Sequence, residues 1–399
     1  MSQGWQNWSG LVQCPGARIA RPGDIEALCR LIEHHQGPGA IRPLGSGHSF
    51  VPFWANDDTL LQMDAFSGLH DVKATADSTV ARFGAGTALH AIGPLLANHG
   101  LALANMGDID RQTLAGAIST GTHGTGRKLG SLASQVTALE IVNGKGHPQG
   151  FTTPDDVAMA RVSLGLLGVI TAIELCVVPA YHLHECNTVE STDACLDAFD
   201  ERSNAHRHHE FWWVPRGDFA VAKTLNPIAA EGPVQLVEIP FGEAGERWGP
   251  SWQIFPSTRE QRFNEMEYAV PEAAAIRCFT AVRTKILQEF PKLPWPVEYR
   301  LVAGDDGWLS PTGGEAVATI SIHQGADRPP EPLFTAIEPI LREHGGRPHW
   351  GKWHQLDAGN VDRLYPKAAN FRTARRQLDP GAVFLTAHLA ALFGYSDIE

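Results

Sequence analysis

Arg42-Pro43-Leu44-Gly45-Ser46-Gly47-His48-Ser49, answered further along by Thr120-Gly121-Thr122-His123-Gly124-Thr125-Gly126, decides how this chain is read. Glycine lets backbone come close to a diphosphate and take up positive φ, so that successive N–H groups point at its oxygens. Each loop also carries a histidine, placed beside whatever the loop holds. Taken singly, either loop reads as a structural turn; two loops that each combine Gly, Ser or Thr, and His are hard to explain by turn chemistry alone.

Neither loop is a standard nucleotide fingerprint. Phe50 stands where G-x-G-x-x-G needs its third glycine, which disfavours a conventional dinucleotide domain. Gly121 and Gly126 are spaced as in a phosphate loop, but Arg127-Lys128 follows instead of Lys-Ser/Thr, so an ATPase reading is weak.

Around the first loop, Arg21-Pro22-Gly23-Asp24 precedes Ile25, Leu28, Cys29 and Ile32, which predicts an amphipathic helix ending near Gly37. A short strand, Ala40 to Leu44, leads into the glycines. Thr59–Met63, Thr79–Phe83, Val136–Val142 and Val169–Val178 read as strands, and Leu89–Leu96 and Pro154–Leu164 as helices. Residues 1–179 therefore predict a mixed α/β unit. From 180 to 346, strand-like runs (Phe211–Val214, Gln235–Ile239, Val297–Val302, Ala318–Ile322) alternate with helical ones (Ala273–Glu289, Leu333–His344). That pattern predicts a second unit, an antiparallel sheet with helices on one face. Residues 347–399 carry dense motifs and do not read as a linker.

The balance of 32 Lys plus Arg against 44 Asp plus Glu, −12 with neutral histidines, argues against nucleic acid or an anionic membrane as the main partner. No run of eighteen apolar residues predicts a membrane span, and Met1 to Trp8 has neither a basic nor an apolar segment of a secretory signal. The six cysteines (Cys14, Cys29, Cys176, Cys186, Cys195, Cys278) contain no CxxC pair, so the expectation is reduced thiols in a cytoplasm.

Four clusters carry further chemistry. His206, His208, His209 and Glu210 match no zinc spacing and read as a solvated helix end; no metal site is expected. Glu298-Tyr299-Arg300 sits in a strand-like run, where alternate residues share a face, and is either a plain ion pair or a site needing an acceptor and a permanent cation. Lys352, in His349-Trp350-Gly351-Lys352, is either a surface cation stacked on indole or a site residue. His323, at the end of an apolar run, is either a satisfied core histidine or a ligand-facing one.

These residues together resemble the aldonolactone and alditol oxidases of the vanillyl-alcohol oxidase type. The match runs from Trp8 to Gly394. Its specific parts are Gly45–Ser49, Gln112–Gly126, Leu164–Ile170, Glu298–Arg300, Arg347–Lys352 and Leu378–Phe384. The resemblance implies an α+β protein with a two-lobed FAD-binding domain of PCMH type, residues 1–179 completed by 347–399, and a substrate cap, 180–346. It implies that His48 is joined covalently to the flavin, while His123 is structural. It places Gly45, Ser46, Gly47, Ser49, Gly107, Asp108, Gln112, Thr113, Gly116, Ala117, Thr120, Gly121, Thr122, His123, Gly124, Gly126, Gly168, Val169, Ile170, Lys352 and His388 at the FAD. Asp108, Glu265, Glu298, Arg300, His323 and Lys352 fall to the substrate, with Glu298, Arg300, His323 and Lys352 catalytic.

The implied reaction moves hydride from a hydroxyl-bearing carbon to flavin N5, with dioxygen reduced to hydrogen peroxide. The expected substrate is a small sugar lactone such as L-gulono-, L-galactono- or D-arabinono-1,4-lactone. Xylitol or sorbitol, oxidised at C1, is the alternative. A dehydrogenase passing electrons to a quinone or cytochrome is a further one, and a non-catalytic nucleotide-binding protein the last. Small Gly107 resembles the oxidases. Many relatives have serine at Asp108 and asparagine after Phe384-Leu385, so this chain departs there. A monomer is expected.

Overall fold

In the computed structural model, residues 4–35, 39–55, 58–229, 234–257 and 260–395 are described. The helix Ile25–Glu33 starts where Asp24 accepts a hydrogen bond from the Ala27 N–H at 2.7 Å. Its Leu28 and Ile32 are fully buried against Ile41, Leu61, Val142, Val169 and Phe384. It ends at His34, and Gly37 lies outside the described residues. Beneath it, Arg18–Ala20, Thr59–Gln62 and Ile41–Leu44 form a parallel three-stranded sheet, and the first glycine loop leaves the end of Ile41–Leu44.

A second, antiparallel sheet runs Pro148–Phe151, Val136–Val142, Val169–Pro179, Thr79–Gly84, Leu69–Ala74, with Leu101–Ala102 also paired to Val169–Pro179. The helices Leu89–Ala97 and Leu114–Thr120 pack in the same core. Three C-terminal helices, Ala358–Leu364, Ala368–Leu378 and Ala387–Phe393, return to it, bringing Val361, Phe371, Leu389 and Phe393 against the N-terminal part.

The third sheet has eight antiparallel strands in the order Gly245–Pro250, His182–Ser191, Phe219–Ile228, His208–Val214, Val297–Val302, Val317–Gly325, Phe263–Pro271, Arg347–Pro348. Its strands alternate. Phe211, Trp213, Tyr299, Ile320 and Ile322 point to one face, where the helices Thr192–Ala205, Glu272–Glu289 and Glu331–Glu343 cover them. Glu210, Trp212, Glu265, Glu267, Glu298, Arg300 and His323 point to the other, toward the first glycine loop's side of the molecule. The expected α+β arrangement with helices on one face of an antiparallel sheet is thus present.

Two local expectations fail. His208-His209-Glu210 is no solvated helix end but a buried strand, all three below 3 % exposure, because lysine and arginine on adjacent strands meet the glutamate. Gln235–Ile239 is not a strand; only Gln235 bridges, to Trp248 on the sheet's edge strand, and Leu236 and Val237 stand exposed. Among the described residues no helix is long and apolar enough to cross a membrane.

Candidate active site

Two clefts meet at His349 and Lys352. Gly45–Ser49, Gln112, Thr113, Gly116, Thr120, Gly168 and Ile170 line the first. Its walls are tight because the glycines are needed. Gly47 has φ +74° with an indole carbon of Trp5 2.9 Å from where a Cβ would sit, and a Cβ on Gly45 would come within 2.8 Å of Thr113 Oγ1. The first loop therefore lies directly against the start of the helix Leu114–Thr120. Gln112 leaves Oε1 buried with no partner among the described residues, an acceptor suited to a donor from a bound ligand. An elongated, glycine-walled cleft with an unpaired buried acceptor fits an extended dinucleotide such as FAD.

His48 lines this cleft with its ring 5.2 Å from that of Trp8. Burial, then the charges of Lys352 and Arg111, push its imidazole down to about 4, so at neutral pH it offers a lone pair.

The second cleft is walled by the polar face of the eight-stranded sheet. Cross-strand pairing sets Glu298 beside Trp212 and Ser321, and Arg300 beside Glu210. Glu298 accepts from the Trp212 indole N–H and from Arg300. Arg300 Nη2 stands 3.0 Å from Asp108 and its Nε 3.1 Å from Glu210. Burial opposes its charge, but Glu210, Glu298 and Asp108 outweigh that and raise its pKa well above the ordinary value. Burial lifts Glu210 to about 7 despite Arg300 and Lys223.

Glu265 pairs with Lys352 and lies 3.7 Å from His323 Nε2. His323 Nδ1 donates to the Pro296 carbonyl at 2.9 Å, which turns Nε2 to the cleft. Burial raises the Glu265 carboxyl, but Lys352 and His323 bring it below the ordinary value. Deeper, His123 donates from Nδ1 to the Gly124 carbonyl and from Nε2 to Glu267, both at 2.8 Å. Glu267 also accepts from Ser321 at 2.5 Å. Burial works against both charges, yet the pair raises His123 and holds Glu267 well below the carboxylate range. His349, by contrast, is pushed down by burial to about 3.

Gly107, Asp108, Thr122, His123, Glu265, Glu298, Arg300, His323 and Lys352 all line the second cleft. Several expected cofactor residues line neither cleft. Ala117 is packed in the core, and Gly121 (φ +86°) caps its helix. A Cβ on Gly124 would meet the Met106 carbonyl, and Gly126 donates its N–H to Leu301 at 2.8 Å. These glycines permit close backbone packing, so the second loop is a junction between lobes more than a cradle. Val169 points into the core under the first helix, and His388 stands against Phe53, ring centres 5.7 Å apart.

Sequence reasoning missed Glu210, Lys223, Glu267 and Trp212 as site members. The alternation Glu265-Met266-Glu267 and Glu210-Phe211-Trp212 held the signal. Both runs put polar side chains on the face opposite the buried apolar ones.

A family model described as D-arabinono-1,4-lactone oxidase matches residues 173–241 and 233–392, and one described as FAD binding domain matches 17–150. The chain is 32% identical to the L-gulono-1,4-lactone dehydrogenase of Mycobacterium tuberculosis, covering 99% of this chain and 100% of that one. It is 30% identical to the alditol oxidase of a Streptomyces species (98% and 99% covered) and 28% identical to the L-gulonolactone oxidase of Bos taurus (98% of each). Cholesterol oxidase from Brevibacterium sterolicum superposes with a TM-score of 0.84, 98% of this chain and 97% of that one covered. At 18% identity that likeness shows the fold alone.

Proposed function

Because the chain belongs to the aldonolactone and alditol oxidase family, matched through the D-arabinono-1,4-lactone oxidase model, we propose that it oxidises a hydroxyl-bearing carbon of a small sugar lactone, with FAD as cofactor and dioxygen as acceptor. The observation that carries this reading is the meeting of the glycine-walled cleft with the Glu298–Arg300 and Glu265–Lys352 pairs at His349 and Lys352. L-gulono-, L-galactono- and D-arabinono-1,4-lactone are the candidate substrates.

Bound in the first cleft, FAD supplies the two-electron acceptor for the hydride that leaves the substrate carbon. Gly45–Ser49, Gln112, Thr113, Gly168 and Ile170 would hold it, and neutral His48 would form the covalent tether. Lys352, at the junction, offsets the negative charge that arrives with the electrons. Arg300 donates to the substrate oxygens, Glu298 accepts from a hydroxyl, and His323 Nε2 takes the hydroxyl proton.

Gly107 supports the oxygen acceptor, since the chain places its smallest residue on the cleft wall. The alditol oxidase relative favours a second reading, oxidation of xylitol or sorbitol at C1, by the same side chains. The mycobacterial relative's name favours a third, a dehydrogenase for a quinone or cytochrome. A cytoplasmic location belongs to this reading, in keeping with six free cysteines.

Peroxide release with lactones and alditols at equal concentration tests the substrate. Faster alditol turnover would replace the first reading by the second. Anaerobically reduced enzyme that takes minutes to reoxidise in buffered oxygen would favour the third. Yellow colour retained by acid-precipitated polypeptide and absent in His48→Ala tests the tether.

A further inference from the structure

Lys223 and Arg300 share two carboxylates. Asp108 turns Oδ2 to Arg300 at 3.0 Å and Oδ1 to Lys223 at 3.5 Å. Glu210 turns Oε2 to Arg300 at 3.1 Å and Oε1 to Lys223 at 3.3 Å. The four groups close a ring of alternating sign. Three of them come from one row of the sheet, where Lys223, Glu210 and Arg300 are direct cross-strand neighbours, and Asp108 closes the ring from the segment after Gly107.

The ring is buried, with the Lys223 side chain 3% and the Glu210 side chain 1% exposed. Glu185, 4.0 Å from Lys223, is itself held by Arg247 at 2.8 Å. Lys223 also lies 5.1 Å from the centre of the Trp212 ring, whose N–H donates to Glu298. Of the carboxylates paired to Arg300 among the described residues, Asp108 and Glu210 are thus held directly by Lys223, and Glu298 is bonded to the indole beside it. Lys223 does not line the substrate cleft; it lines a neighbouring chamber with Asn187 and Arg247.

We infer that Lys223 is a positioning residue, setting the Arg300 guanidinium through Asp108 and Glu210 and so governing substrate affinity without touching substrate. A guanidinium has several donors and three acidic neighbours to choose among; anchoring the outer oxygens of two of them leaves one orientation. The inference rests on the proposed substrate role of Arg300.

The test uses purified holoenzyme. Lys223→Ala is expected to raise KM about 30-fold, the loss of a buried cation ion-paired to both Asp108 and Glu210, while kcat changes less than about threefold. Ethylammonium chloride, reaching the vacated site from the neighbouring chamber, restores KM in part; sodium chloride at the same concentration does not. Without the ammonium, Asp108, Glu210 and Glu298 keep the Arg300 guanidinium as their cation, while Glu267 behind them keeps His123 and the charge of Lys352. Glu210, already lifted to about 7 by burial, loses a charge that lowers it and rises further, so the ionisation it gives the pH profile of kcat/KM moves upward in Lys223→Ala.

A KM within about twofold of wild type in Lys223→Ala, alongside a raised KM in Arg300→Lys, overturns the inference. If Arg300→Lys is also silent, the substrate reading of Arg300 fails instead, and the inference with it. Should Lys223→Ala not fold, the nearly isosteric Lys223→Met replaces it, and an unchanged KM there is equally fatal.

Discussion

Lys352→Met leaves Glu265 buried beside a methyl group. In the native protein Glu265 is 4% exposed and ion-paired to Lys352, with His323 3.7 Å away on its other oxygen. Removing one partner of a buried pair costs about 3–5 kcal/mol, because the remaining charge stays desolvated. Lys352 keeps some solvent contact at 16% exposure and His323 remains beside the carboxylate, which places the cost near the lower end, about 3 kcal/mol. For a chain of this length that corresponds to a fall in Tm of roughly 4 °C.

The loss has a defined pH dependence. Native Glu265 is held below the ordinary carboxylate range, so it contributes stability above the unfolded value that is lost as pH falls. In Lys352→Met burial dominates and raises the carboxyl, so stability is lost as pH rises. The deficit should be small near pH 4.5 and full at pH 8, measured by calorimetry or denaturant melts of both proteins. Adding Glu265→Gln to Lys352→Met removes the stranded charge and should recover most of the loss. A deficit at pH 8 below about 1 kcal/mol, or no recovery in the double variant, would refute the account of this pair as a buried, mutually dependent one.

Three other outcomes follow from the same reasoning. Arg42→Met leaves the carbonyls of Gly165, Phe384 and Leu164 without their buried donor, at a cost of about 3 kcal/mol, and should lower both the denaturant midpoint and flavin retention. The native stability advantage over His123→Gln should be greatest between about pH 4.5 and 6.5. It shrinks at higher pH as His123 loses its proton through its raised value, and at low pH as Glu267 gains one; melts across pH check both arms. Gly124→Ala brings a Cβ to 2.3 Å from the Met106 carbonyl and should cost about 2 kcal/mol, whereas Gly150→Ala, which meets nothing within 4 Å, should be nearly neutral in the same melts.

The first loop was legible because its glycines carry a requirement visible in the letters: Gly47 with φ +74° and Gly45 against Thr113 admit no side chain. Glu298 and Arg300 were legible because strand alternation alone puts them on one face. Glu210 was not. A polar run such as His206–Glu210 reads as solvated until Lys223 and Arg300 are seen across two ladders, and register between distant strands is not written in either strand. The second loop divides, with Thr120, Thr122 and His123 at the clefts and its glycines in close backbone packing. Glycine needed for a phosphate and glycine needed for a carbonyl, as at Gly124 against Met106, look identical in sequence.

The alternation of the eight-stranded sheet also limits how this protein can diversify. Tyr299 and Leu301 belong to the helix-covered core while Glu298 and Arg300 belong to the cleft, on the same six residues. Deleting one residue there would send the guanidinium into the oil and the phenol into the pocket. New substrate preferences must therefore arise by exchanging side chains in place, one face at a time. Insertions and deletions are free to act only where no ladder counts residues, as in the segment from Leu236 to Gly242 that borders the neighbouring chamber.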